Sequence, residues 1–364
     1  MKAHLKSLRN IGISCLAVLC IAGQMSGLAS AQTGSDPANR ALAWMKTQQQ
    51  PDGSFAGFGV GSTVDALLAI LAAGQDPATY SQGGNTPVSY LESKVGDLAK
   101  SPGSAGKMIL AVVQLSRAGK SFNGTKQLIQ ALNTSYDVQA GRYGKDAIGH
   151  AFGMLGAATL GDVPSDAVTY LKSIQTAEGG WAFSGDTAAG AADTNTTAVA
   201  IQALVAAGEP ENSPVIKKAL DYLATQQNSD GGYPYQKEGE FGGESDVNSS
   251  AYVMQALLTV GADSQKVRDY LTSMQKSNGA FQWKKSEPDD NAGATYQAIP
   301  ALLGTVLWSP ITIAVPGDNP GEVPPVVGMP STGSTDGFPL DIVAALAATA
   351  TVAGLLARRK IEVR

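Results

Sequence analysis

Cysteine is nearly missing: Cys15 and Cys20 are the two in the chain, and both lie in its first twenty residues. Everything downstream of them has no thiol. That excludes disulfides, thiolate metal sites and a cysteine nucleophile. Histidine is as scarce, with His4 and His150 only. A metal site built on several histidines is excluded, and so is any triad that needs a histidine other than His150. Aromatic residues make up 6% of the chain. Basic charge is also short, with 26 Lys and Arg against 31 Asp and Glu, a net charge of −5. A nucleic-acid surface is not expected at that balance.

What is present begins with two targeting signals. Lys2, Lys6 and Arg9 precede the apolar run Ile11 to Ala22, and Ala29-Ser30-Ala31 is an A-x-A cleavage site. Residues 1–31 are therefore expected to be a signal peptide. Residues 309–339 are rich in Pro and Gly and read as an extended spacer. Residues 340–357 are apolar apart from Asp341. At helical rise they cover about 27 Å, enough for a transmembrane helix. Arg358, Arg359 and Lys360 form a basic cytoplasmic tail, residues 358–364. The expected location is the cell surface, with the body outside. Met329-Pro330-Ser331-Thr332-Gly333 resembles the Leu-Pro-x-Thr-Gly sorting signal, with Met in the first place.

The body, residues 32–308, is repetitive. One spacing occurs four times: an aromatic, Gln five residues on, Gly four further, an aromatic two further. It is Trp44, Gln49, Gly53, Phe55, then Tyr170, Gln175, Gly179, Trp181. It returns as Tyr222, Gln227, Gly231, Tyr233 and as Tyr270, Gln275, Gly279, Phe281. Gly74, Gly119, Gly161, Gly208, Gly261 and Gly304 close six units of two helices each. First helices are amphipathic and suit an outer layer. Second helices, such as Thr197 to Ala207, are small and apolar nearly all round and suit an inner layer. Six such hairpins close into a ring, all helical and without a sheet.

The repeated Gln-x-x-x-Gly-x-aromatic turn resembles the QW motif of squalene/hopene cyclases and protein prenyltransferase β subunits. The stretch DTNTTAVAIQAL, starting at Asp193, resembles the inner helices of those families and of transcobalamin-like carriers. The resemblance spans Asp36 to about Trp308 and implies an α6/α6 toroid. It does not name an activity, because one fold hosts unrelated functions.

Candidate chemistry gathers at the inner-helix starts. Asp146, Asp193, Asp246 and Asp289 each stand fifteen residues before a closing glycine. They either cap helices or form a ligand-binding rim, extended by Asn195, Asn248 and Asn291. Class II terpene cyclases carry Asp-x-Asp-Asp-Thr-Ala at an inner-helix start. Glu287-Pro288-Asp289-Asp290-Asn291-Ala292 resembles it, which implies Asp289 as a general acid flanked by Glu287 and Asp290. Such an acid stays protonated through desolvation and neighbouring carboxylates. The few aromatics and Lys284-Lys285 argue against that use. A zinc prenyltransferase is excluded by the same comparison. Val247-Asn248 follows Asp246 where that family has Asp-x-Cys, and Ala292 stands where it places a His. His150 follows Asp146 by four residues, on the same helix face. A corrinoid-like ligand would take it as an axial ligand; otherwise it is a hydrogen-bonded core residue.

The leading expectation is a non-catalytic, membrane-anchored surface module that binds a small hydrophobic or corrinoid-like molecule, with no cofactor of its own. The alternative is a terpene cyclase-like enzyme using Asp289. A structural or adhesive role is the third.

Overall fold

The computed structural model describes residues 36–239, 242–306 and 308. The expected signal peptide, spacer, apolar segment 340–357 and basic tail all lie outside the described residues. No helix among the described residues is long and apolar enough to cross a membrane.

The body is six helix pairs. The outer members are α1 (Pro37–Thr47), α3 (Pro87–Ser93), α6 (Thr125–Thr134), α8 (Ser165–Ser173), α10 (Pro214–Gln226) and α12 (Gln265–Ser273). The inner members are α2 (Gly59–Ala72), α5 (Pro102–Arg117), α7 (Ala147–Thr159), α9 (Thr194–Ala206), α11 (Val247–Thr259) and α13 (Ala292–Leu303). A single turn, α4 (Val95–Leu98), follows α3. Each inner helix packs on the one before and the one after, and α13 packs back on α2, so the inner layer is a closed ring. Besides isolated bridges in the turns, the strands among the described residues form one two-residue antiparallel ladder. It pairs β1 (Tyr136–Asp137) with β2 (Arg142–Tyr143) in the turn before α7.

The sequence explains which helix goes where. On α10 the buried residues are Ile216, Ala219, Tyr222 and Leu223, one stripe of the helix. On α7 every residue is buried, because it is covered by α5, α9 and its own outer partner. Small residues let these inner helices approach. A methyl group at Gly106 would stand 2.1 Å from the Phe152 carbonyl oxygen, so α5 and α7 meet with no side chain between them.

The repeated turn is a hydrogen-bonded staple. Gln175 Nε2 donates to the Gly179 carbonyl at 2.8 Å and to the Val215 carbonyl at 3.0 Å, tying its own turn to the next outer helix. Gly179 sits at φ 105°, a conformation open to glycine at little cost. The closing aromatic then turns inward. The Trp181 amide donates to Thr197 Oγ1 on the inner helix, and its indole Nε1 donates to the Leu171 carbonyl at 2.7 Å. The amides of Phe55, Tyr233 and Phe281 make the same bond to Thr63, Ser250 and Thr295.

Candidate functional site

The inner-helix starts are caps. Asp146 Oδ1 accepts from the Gly149 amide at 2.7 Å, Asp193 Oδ1 from Thr196 at 2.7 Å and Asp246 Oδ1 from Ser249 at 2.7 Å. The last unit differs. Its N-cap is Asn291, which accepts from the Ala294 amide at 2.8 Å. The spacing rule placed that cap at Asp289 because α13 and its closing turn are two residues shorter than α7, α9 and α11 with theirs. Asp289 is exposed in the preceding turn. Asp290 is exposed too, and Lys276 at 2.6 Å holds its carboxyl below the usual carboxylate range. Glu287 is half-buried in that turn, its amide bonded to the Lys284 carbonyl. An exposed carboxyl at Asp289 beside an ion-paired one at Asp290 is the opposite of the desolvated acid expected there.

A second, partial match to the class II pattern lies in the ring. Asp193-Thr194-Asn195-Thr196-Thr197-Ala198 starts α9 in the register of Asp-x-Asp-Asp-Thr-Ala, with Asn195 in the second carboxylate's place and Thr196 in the third's. Asp193 itself is 1% exposed. Its carboxyl also takes bonds from Thr196 Oγ1, at 2.8 Å, and from the Tyr235 hydroxyl. Burial outweighs these donors and pushes the carboxyl up to about 6. Asp246 is raised for the same reason. The scarce aromatics collect here. Trp181 pairs with Asp193 through its backbone, Tyr222 donates to the Ala192 carbonyl, half-buried Tyr235 bonds the carboxyl with its hydroxyl, and half-buried Phe183 bonds it with its backbone amide.

His150 is fully buried and both its nitrogens are used. Nδ1 accepts from the Tyr143 amide at 3.0 Å and Nε2 faces the Ala167 carbonyl at 3.0 Å. Burial lowers its pKa to about 4, so the ring is neutral. Neither nitrogen is free to ligate a corrinoid.

Inside the ring lies a second constellation, on the bore. Asp65, Lys107, Phe152, Val199, Tyr252 and Gln297 form one layer, one residue from each inner helix. Three residues further along each helix follow Leu68, Leu110, Leu155, Gln202, Gln255 and Pro300. The two layers line a cavity of about 40 Å³, with Trp308 at the C-terminal mouth. That is room for about three waters. Lys107 Nζ pairs with Asp65 Oδ1 at 2.5 Å and lies 3.5 Å from the Tyr252 hydroxyl. Burial works against the ammonium charge, but Asp65 and Tyr252 outweigh it and hold Lys107 above the usual lysine range. Gln297 Nε2 donates to Asp65 Oδ2 at 3.1 Å, and Asn248 Nδ2 donates to Gln297 Oε1 at 2.8 Å. Of the expected rim, Asn195 and Asn248 are buried on the inner helices near the bore. Neither Asp65 nor Lys107 belongs to a motif. Their signal in the sequence is one charge in each of two otherwise apolar inner helices, VDALLAIL and GKMILAVV.

Six inner and six outer helices in a closed ring, with a buried acid at one mouth and a polar bore, make this an α/α toroid. The squalene-hopene cyclase C-terminal domain family matches residues 140–294. No curated protein is significantly similar in sequence. Among solved structures, the type II terpene cyclase MstE from Scytonema is 14% identical, with a TM-score of 0.53 over 74% of this chain and 96% of that one. A variant of MstE carries geranylgeranyl dihydroxybenzoate as substrate; it is 13% identical, with a TM-score of 0.54 over 74% and 96%. A glycosidase in complex with glucose is 13% identical, with a TM-score of 0.54 over 75% and 96%. At these identities the likeness establishes the fold. It also corrects two expectations. Proteins that share the fold over nearly their whole length are a terpene cyclase and a glycosidase, which are enzymes, so the non-catalytic binder gives way. The corrinoid-like ligand goes with it, since the MstE complexes hold a prenyl substrate or product and His150 has no free nitrogen. The membrane partner is likewise unsupported by any described helix.

Proposed function

We propose that this protein is a terpene cyclase-like enzyme whose proton donor is Asp193. The observation that carries the reading is the buried Asp193 carboxyl. It stands at an inner-helix start in the first place of the class II pattern, is raised to about 6 by burial, and accepts bonds from the Phe183 amide and the Tyr235 hydroxyl. A carboxyl with that value holds a usable fraction of protons near neutral pH. The reaction would be an isomerisation. The Asp193 proton adds to a terminal alkene carbon, the alkene electrons close a carbon–carbon bond, and the last cation loses a proton. Atoms and electrons balance without an oxidant or reductant. Phe183 and Tyr235 would supply aromatic faces to the passing cation. A polyprene exceeds the bore cavity, so its chain would lie across the N-terminal mouth beside these rings.

The test is product analysis with C15 to C20 polyprenes. Cyclised isomer from the wild type, lost in Asp193→Asn and retained in Asp289→Asn, is the expected result. Sugar release from a glycoside, with no conversion of any polyprene, would move the chain to the hydrolase side of its structural relatives.

A further inference from the structure

The bore contains polar atoms that the fold itself leaves without partners. Asn248 is 5% exposed and its Oδ1 has no hydrogen-bond partner. Its orientation is fixed by its neighbours. Gln297 must turn Nε2 to the Asp65 carboxylate, which leaves Gln297 Oε1 facing Asn248, so Asn248 presents Nδ2 to it and Oδ1 elsewhere. Tyr296, fully buried and lining the cavity, has an unpartnered hydroxyl. Trp308 lines the same cavity with an unpartnered Nε1. One of these atoms only accepts, one only donates, and one does either. Unpaired polar atoms in a buried site are costly; two of them, on Tyr296 and Trp308, belong to residues that line the cavity, and a hydroxyl group donates to the one and accepts from the other.

Charge selects further. The only ammonium on the cavity wall among the described residues, Lys107, is neutralised by Asp65 at 2.5 Å. A diphosphate would bring uncompensated negative charge into a low-dielectric space. A cationic head would find Asp65 already taken. Size agrees, since the cavity takes about three water-sized groups, or the hydroxyl-bearing end of a longer molecule.

From this we infer that the bore of the ring is a subsite for the neutral, hydroxyl-bearing end of the substrate. It discriminates a prenyl alcohol from its diphosphate. The inference rests on the reading that the substrate is a prenyl chain seated at the N-terminal mouth, but it concerns binding and not the acid.

Calorimetric titration of the folded protein with a C20 prenyl alcohol and with the matching prenyl diphosphate tests it. The alcohol binds at least tenfold more tightly than the diphosphate. Tyr296→Phe weakens the alcohol about tenfold while the melting temperature stays level, because the hydroxyl removed has no partner in the fold. Asp193→Asn binds the alcohol as the wild type does. Equal or tighter binding of the diphosphate, no binding of either, or an unchanged affinity in Tyr296→Phe overturns the subsite; the last of these is the result expected of a cavity that holds water only. Tight alcohol binding without any conversion leaves the subsite standing and removes the cyclase reading. Conversion without preference between the two heads removes the subsite alone.

Discussion

Gln275 Nε2 donates to the Pro37 carbonyl at 2.7 Å, across 238 positions of sequence. The same amide nitrogen donates to the Gly279 carbonyl at 3.0 Å, and Arg40 donates back to Gln275 Oε1. The staple that joins neighbouring units elsewhere is thus also the clasp that joins the last unit to the first.

Gln275→Ala is expected to destabilise by about 1 to 3 kcal/mol, since two backbone carbonyls and Arg40 lose a partner. Gln227→Ala, which loses one carbonyl bond to Gly231, is expected to lose less. Denaturant unfolding of the two variants side by side gives the comparison.

Trp181 is fully buried and its indole nitrogen is bonded. Trp181→Ala leaves a cavity and an unpaired Leu171 carbonyl, with an expected loss of about 3 to 5 kcal/mol. A melting temperature within error of the wild type would place the ring outside the core.

The bore ion pair offers a sharper contrast. Lys107→Met alone strands the Asp65 carboxylate and is expected to cost about 3 to 5 kcal/mol. Asp65→Leu combined with Lys107→Met removes both charges and is expected to be near neutral or stabilising. Thermal melts of the single and double variants decide it, and the reverse order would mean that the pair is solvated.

Two buried groups give pH slopes of opposite sign. His150 has its folded pKa lowered to about 4 from an ordinary 6.5. Its contribution is present above 6.5 and is lost as pH falls toward 4, so His150→Gln should flatten that acid limb. Asp193 is raised to about 6 from 3.8. Its burial is least unfavourable below 3.8, and stability is lost as pH rises through 6. Asp193→Asn keeps the cap, because Asn caps nearly as well as Asp. It should therefore be at least as stable as the wild type at pH 7, and its melting temperature should fall less between pH 4 and 7.

Much of the ring was legible in the chain. The four-point turn is a strong signal because each of its residues has a fixed duty: Gln reaches two carbonyls, Gly takes a positive φ, and the aromatic fills the gap between layers. The closing glycines gave the helix start in three units, at Asp146, Asp193 and Asp246. They misplaced the sixth, where Gly304 caps α13 directly and the helix start slips from Asp289 to Asn291. That slip set the candidate acid in an exposed turn. The acid we propose needed tertiary information, since Asp193 has the same local sequence chemistry as Asp246, and its surroundings come from Phe183, Tyr222 and Tyr235 in other turns. Asp65 and Lys107 were missed for the same reason. They lie on different helices, and a ring must close before they meet.

That closure has a further consequence. An open stack of helical repeats ends in two units with one neighbour each, and those frame the loosest part of the molecule. Here α13 lies on α2 and Gln275 holds Pro37, so every unit has a neighbour on both sides. No unit is positioned to fray. Amide exchange should report one shared opening event for all six inner helices, with protection in α2 and α13 as high as in α7 and α9.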